Sequence, residues 1–262
     1  MWKFVYILWL SFILCGYKQG SIEDVFVCSR NLLSEENKAE WYTYLKDRGV
    51  GYDPEKVFRI ENGSLFITGK EFGYMATKHP YENYILIAEF RFEEEQTYGK
   101  KTGKARDSGI LIHSIGEDGA KNGLWMYSIE CQVQEGGCGD VYVVGGDDSQ
   151  VMVNAIVKDI NDKFLQSCLC GEERVINKGA IYRFNHDFAW KDTIGYRSEN
   201  EIEAPIGEWN RMVCIAFEKN LDIYLNSILV NRVTNIVPSR GKIQIQSEGA
   251  AIQFRRIDLI PL

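Results

Sequence analysis

Histidine and proline are scarce in this chain: it holds three histidines and five prolines among 262 residues. With only His79, His113 and His186 available, imidazole-based proton transfer or metal binding has few candidates. No Pro-rich linker, low-complexity tract or internal repeat interrupts the sequence, so a single mature domain is expected. Long apolar runs are missing too. The longest, Phe4 to Leu14, is eleven residues, well short of the roughly 20 needed to cross a bilayer as a helix. Lys and Arg form no cluster, and the net charge is -7 with a pI of about 5.2. An acidic chain of this kind is a poor candidate for nucleic acid or anionic membrane binding. The sequence has no P-loop, no GxGxxG after a strand, no GxSxG and no HExxH. Phosphate-loop, dinucleotide, serine-hydrolase and zincin chemistries lose their usual signatures with them.

The short apolar run has a use. Lys3 precedes it and Cys15 comes directly after it, the layout of an export signal. Residues 1–19 are expected to be a signal peptide, with lipidation at Cys15 as an option, although Ile13 and Leu14 are larger than a lipoprotein signal prefers. The protein is expected in the periplasm or cell envelope of a bacterium, with a lipid anchor as its one route to a membrane. Six cysteines remain after Cys15. An even number in an exported protein permits disulfides, but the spacing selects no pairing. Free buried thiols are the alternative.

Residues Asn31 to Asp47 read as a short N-terminal helix, capped by Ser34, with Trp41, Tyr44 and Leu45 on one face. Beyond it, about a dozen short segments alternate apolar and polar residues between turn signals such as Asn62-Gly63 and Asn226-Ser227. That pattern predicts an all-β sandwich over residues 20–262. Loops are expected at Glu93 to Ala105, Gly116 to Gly123 and Asp159 to Ala180.

The stretch Tyr127 to Gln134, YSIECQVQ, stands out. Ile129, Cys131 and Val133 share one face, and Ser128, Glu130, Gln132 and Gln134 the other. A row of one carboxylate and two carboxamides both donates and accepts hydrogen bonds, which suits sugar hydroxyls. Period-two reading of SGILIHS puts Gly109, Leu111 and His113 on one face. In IQIQSE, Gln244, Gln246 and Glu248 oppose Ile243 and Ile245. If these three strands share a sheet, His113, Glu130 and Glu248 converge on one surface.

The segment RDSGILIHSIGEDGAKNGLWMYSIECQVQEGGCGDVYVVGG resembles the central block of the 3-keto-disaccharide hydrolase family. So do FITGKEFGYMATKHPYENYILIAEFRF before it and HDFAWKDTIGYRSENEIEAPIGEWNRM and LNSILVNRVTNIVPSRGKIQIQSEGAAIQFRRIDLIPL after it. The resemblance covers about Val57 to Leu262. It implies a concanavalin A-like β-jelly roll and cleavage of glycosides oxidised to a ketone at sugar carbon 3. Such a ketone acidifies the hydrogen on carbon 2. A base removes that hydrogen, the enolate is stabilised, and the aglycone leaves carbon 1.

On this resemblance His113 and Glu130 are expected as the proton-transfer pair. Asp107, Gln132, Gln134, Asp140, Trp190, Lys191, Gln246 and Glu248 are expected to bind substrate. A divalent cation held by Asp107, His113 and Glu130 is an option, and Glu130 with Glu248 is a candidate carboxylate pair for direct glycoside hydrolysis. The partner in either case is an oligosaccharide or glycoside. The rival readings are a non-catalytic carbohydrate-binding jelly-roll module and a structural envelope protein.

Overall fold

The computed structural model describes residues 29–93, 96–146 and 150–262. The expected signal peptide, Cys15 and Cys28 lie outside them. Among the described residues nineteen strands pair into two packed sheets, the all-β sandwich expected from the alternation.

The first sheet runs from Trp41–Leu45 to Gly73–Thr77, then Lys242–Ser247, Asp107–Ile115, Tyr127–Gln134 and Val141–Val144. Beyond Val141–Val144 come Gly179–Tyr182, Phe164–Ser167 and Met152–Ile160. Tyr84–Phe92 lies within the second sheet, between Ile252–Pro261 and Asn210–Phe217. The long strand Ile228–Val237 belongs to both sheets: it pairs with Asn220–Leu225 in one and Met152–Ile160 in the other. The inward stripes of the two sheets meet in one apolar core, in which Ile110, Ile112, Ile129, Cys131 and Val133 face Leu86, Phe90, Met212 and Cys214. The alternation read in Tyr127–Gln134 and Lys242–Ser247 thus has its physical cause in this core, and that of Asp107–Ile115 holds as far as Ile112.

The helix expected over Asn31 to Asp47 does not form. The chain makes turns, a single 3-10 turn at Lys38–Glu40 and the strand Trp41–Leu45. Ser34 does cap, but it caps a turn: its hydroxyl accepts from the Asn37 amide at 3.3 Å. The WYTYL run is rich in strand formers, and Gly73–Thr77 offers it a full antiparallel ladder. Tertiary pairing decides the outcome there. Three strands, Phe164–Ser167, Glu172–Ile176 and Gly179–Tyr182, likewise occupy the stretch expected to be a loop at Asp159 to Ala180.

The five described cysteines are free. Cys131 and Cys214 face each other across the two sheets with their sulfurs 3.6 Å apart.

Candidate functional site

The outer face of the first sheet, turned away from the core, gathers titratable and amide side chains. Glu130 and Gln132 are both buried on it. Leu111 pairs with Glu130 and Gly109 with Gln132, and Gln244 pairs with Leu111 from the other side. Gly109 is the floor of this arrangement. A Cβ there would fall onto the Oε1 atoms of both Glu130 and Gln246. Only a residue without a side chain lets these two groups lean over the strand together.

Beside them stands a cluster of charges. Lys101 pairs with Asp107, and its ammonium is also 3.4 Å from Glu248 Oε1. Gln134 donates to Asp107 Oδ2 at 2.9 Å. Lys101 is a residue that periodicity does not reveal. It sits in the 3-10 turn Gly99–Lys101, and that turn is held by the Tyr98 amide donating to Gly249 O at 2.7 Å. Gly249, at φ +82°, leaves the room that Lys101 Cβ and Cγ fill.

Two carboxyls therefore share one ammonium, and a third, Glu130, feels their charge. Burial pushes the Glu130 carboxyl well up, and the charges of Glu248 and Asp107 add to this, against hydrogen bonding from Gln246 and the charge of Lys101. Burial and then Asp107 raise Glu248 to about 8, with Lys101 opposing. Asp107 is also raised by burial, to about 6, with Lys101 and Gln134 pulling it down. Lys101 stays firmly charged: burial works against its ammonium, but Asp107 and Glu248 outweigh it. Burial thus works against ionisation of all three carboxyls, and Lys101 supplies the positive charge that opposes it at Asp107 and Glu248. Two buried oxygens in it, Asp107 Oδ1 and Gln246 Oε1, lack a hydrogen-bond partner. Buried polar atoms normally have one, and a ligand's hydroxyls would supply it.

His113 does not join Glu130. A β-bulge between Ile112 and Ile115 changes the phase of its strand, and His113 itself adopts φ +51°. An inserted residue of this kind turns the next side chains to the opposite face. The imidazole packs edge-on against the core residue Tyr84, with ring centroids 5.8 Å apart. Burial lowers its pKa to about 4, with the Pro238 carbonyl opposing. The expected proton-transfer pair is thereby separated, and so is the expected cation set of Asp107, His113 and Glu130. Among the described residues no group of three His, Cys, Asp or Glu is arranged to hold a metal ion. Within the carboxyl cluster the place of a cation is taken by Lys101.

The other expected residues divide. Gln246 and Glu248 lie at the cluster, and Gln134 holds Asp107. Gln132 turns its Oε1 to the adjoining Val133 amide at 2.9 Å. Trp190 donates from its indole to Glu135 O at 2.9 Å and packs on Gly136, clamping the turn after Gln134. Lys191 is exposed on the same segment, whose Asp192 accepts from the Ala105 amide at 3.2 Å. Asp140 Oδ1 accepts from the Arg183 amide at 2.8 Å, and its Oδ2 is 3.1 Å from Nδ1 of the buried His186. At that distance the two form a close polar contact, though Nδ1 makes no hydrogen bond. His186 leans on Tyr182, centroid to centroid 4.5 Å, and Tyr182 shares a hydrogen bond with Tyr142. Tyr142 in turn lies directly across the ladder from Glu130. His186 is one of only three histidines and lies in a polar, aromatic segment, which is the signal that marks it in the sequence.

On the far side of Gln246 the same face bears Tyr42, Tyr44, Tyr74, Trp125 and Met126. Tyr42 and Tyr74 both donate to Asp118 Oδ1, at 2.7 and 2.5 Å, which ties the loop after Ile115 onto the sheet.

Residues 29–260 match the family model of the 3-keto-alpha-glucoside-1,2-lyase-like domain, a carbohydrate-active family. No curated protein matches the chain. Among solved structures the chain is similar to a proposed glycosyl hydrolase from Parabacteroides distasonis ATCC 8503. That pair has 14% identity and a TM-score of 0.53, covering 93% of this chain and 98% of the other. A second proposed glycosyl hydrolase from the same organism has 16% identity and a TM-score of 0.51, covering 89% and 99%. At such identities the likeness is one of fold.

Proposed function

This chain belongs to the 3-keto-alpha-glucoside-1,2-lyase-like family, and on that premise we propose that it cleaves 3-keto-glycosides by elimination across carbons 1 and 2. The observation that carries the reading is the cluster of Asp107, Glu130, Glu248 and Lys101 on the outer face of the sheet, three largely buried carboxyls gathered around one ammonium.

Elimination needs a base for the carbon 2 proton and positive charge or a donor for the developing enolate. Glu248 is the most open of the three carboxyls, at 19% side-chain exposure. A carboxylate raised to about 8 is a stronger base than an ordinary one. We assign it the carbon 2 proton. Asp107 is 3% exposed and committed to Lys101 and Gln134, so it positions the ammonium. Lys101 and Glu130, whose burial favours the protonated carboxyl, stabilise the oxygen on carbon 3 as negative charge builds there. Gln246 Oε1 and Asp107 Oδ1 are left to accept from sugar hydroxyls.

The test is a panel of 3-keto-glucosides and their unoxidised parents, incubated in deuterated water while aglycone release is monitored. Release from the keto substrates alone, with deuterium at carbon 2, is expected. Release without deuterium, or equal release from the parents, would replace elimination with direct displacement. Binding of sugars with no release at all would make the protein a carbohydrate-binding module.

A further inference from the structure

Elimination leaves a second proton unassigned, the one that the departing aglycone oxygen must acquire. Resting on the reading above, we propose that His186, oriented by Asp140, is the general acid that delivers it.

The residues are placed for that role. Asp140 and Tyr142 alternate on Val141–Val144 and its approach, so both share the face of Glu130. The Gln132 amide donates to Asp140 O at 2.9 Å, which fixes Asp140 one strand over from the Glu130 row. A Cβ at Gly137 would lie 3.4 Å from Asp140 Oδ2 and 3.5 Å from Gln134 Oε1. A single glycine thus separates the Asp140 and His186 pair from the belt of Gln134, Asp107, Lys101 and Glu248. Strands are spaced about 4.8 Å apart. His186 approaches from beyond Gly179–Tyr182, two strands from Tyr127–Gln134 and four from Lys242–Ser247, the strand that leads to Glu248. Roughly 10 Å of backbone separates it from Glu130 and roughly 19 Å from the strand of the base; extended toward each other, the Glu and His side chains would close the second span to about the width of a sugar ring with its glycosidic oxygen.

The ring is also held. Nδ1 faces the Asp140 carboxylate at 3.1 Å, while Tyr182 and Phe188 pack on the imidazole at centroid distances of 4.5 and 5.1 Å. With Nδ1 turned to Asp140, Nε2 is the nitrogen left to meet a ligand. Among the described residues no side chain is bonded to it. A histidine packed against aromatic rings for stability alone would not need a carboxylate, itself buried, at its inner nitrogen.

The step balances. The carbon 2 C–H bond breaks, and its proton goes to Glu248. The electron pair becomes the carbon 1–carbon 2 double bond, and the carbon 1–oxygen bond breaks with its pair on the aglycone oxygen. That oxygen takes the proton from Nε2 of the His186 imidazolium, which is then reprotonated from water.

The experiment compares His186→Gln with wild type on two 3-keto-glucosides, one carrying a 4-nitrophenyl aglycone and one a methyl aglycone. 4-Nitrophenolate leaves without help and methoxide does not. The variant is expected to lose about 10²–10⁴-fold in kcat on the methyl glycoside and under about tenfold on the nitrophenyl one. Equal loss on both substrates, or no loss on either, would overturn the assignment while leaving elimination standing. A wild type that releases neither aglycone would overturn both. If His186→Gln does not fold, Asp140→Asn is measured instead and must show the same split, since the unoriented ring loses its aim; a uniform loss there overturns the assignment equally.

Discussion

Replacing Gly109 by alanine separates site geometry from fold stability. The added Cβ would stand 2.9 Å from Gln246 Cδ, and nearer still to the Oε1 atoms of Gln246 and Glu130. Ordinary carbon contacts begin at about 3.5 Å, so the carboxamide must retreat by at least half an ångström and the oxygens by roughly 1 Å. All the obstructing atoms are the ends of flexible side chains, and Gly109 is not among the residues with positive φ. The backbone therefore need not move. Overpacking costs about 1–3 kcal/mol, and alanine returns about 0.5–1 kcal/mol over glycine in a strand. The melting temperature should fall by no more than about 10 °C. Activity is far more sensitive: a misplacement of about 1 Å at a reacting group costs on the order of 10²-fold. The assay is kcat/KM on a 3-keto-glucoside beside a thermal melt of the same sample. Gly109→Ala with wild-type kcat/KM would refute the placement of Glu130 and Gln246 at the reacting centre. Collapse of the fold would refute the claim that only side-chain ends obstruct the new Cβ.

Two further outcomes are expected. Glu248 has a folded pKa of about 8, above its ordinary value of 4.5, so between those values the native state holds a proton that the unfolded chain has lost. Its contribution to stability is whole below pH 4.5 and fades as pH rises through 8; Glu248→Gln should flatten the decline of melting temperature over that window, and an unchanged slope would count against the shift. His113→Asn suits the left-handed backbone at that position. It should cost about 1–3 kcal/mol in denaturant titrations yet leave kcat within about threefold, whereas a collapse of kcat in folded protein would return His113 to the site.

The legibility of this protein in its sequence depends on the physics of each element. Tyr127–Gln134 is readable because no bulge breaks its period and one face meets a core, so the Glu130 row emerges directly. Gln246 and Glu248 emerge by the same logic. His113 defeats it because the phase change at Ile112 to Ile115 depends on a close backbone approach of Gly241, which has no local signature. Lys101 is invisible because its place is fixed by a contact with Gly249, far along the chain. The helix expected around Trp41 fails for a related reason. Apolar residues at 41, 44 and 45 fit a helical stripe and a strand equally well, and the ladder with Gly73–Thr77 decides.

The position of Lys242–Ser247 bears on how the protein comes into being. This late strand is inserted in mid-sheet, between Gly73–Thr77 and Asp107–Ile115. A nascent chain that stops before Lys242 has two open, sticky edges where the sheet should be continuous. It also lacks Gln246 and Glu248, so Lys101 has one carboxylate instead of two. Closing the gap requires pairing residues far apart in sequence, a slow step. Until this strand is made and seated, the growing chain keeps those two edges open and lacks part of the carboxyl cluster: no truncated product ending short of it can carry the assembled site.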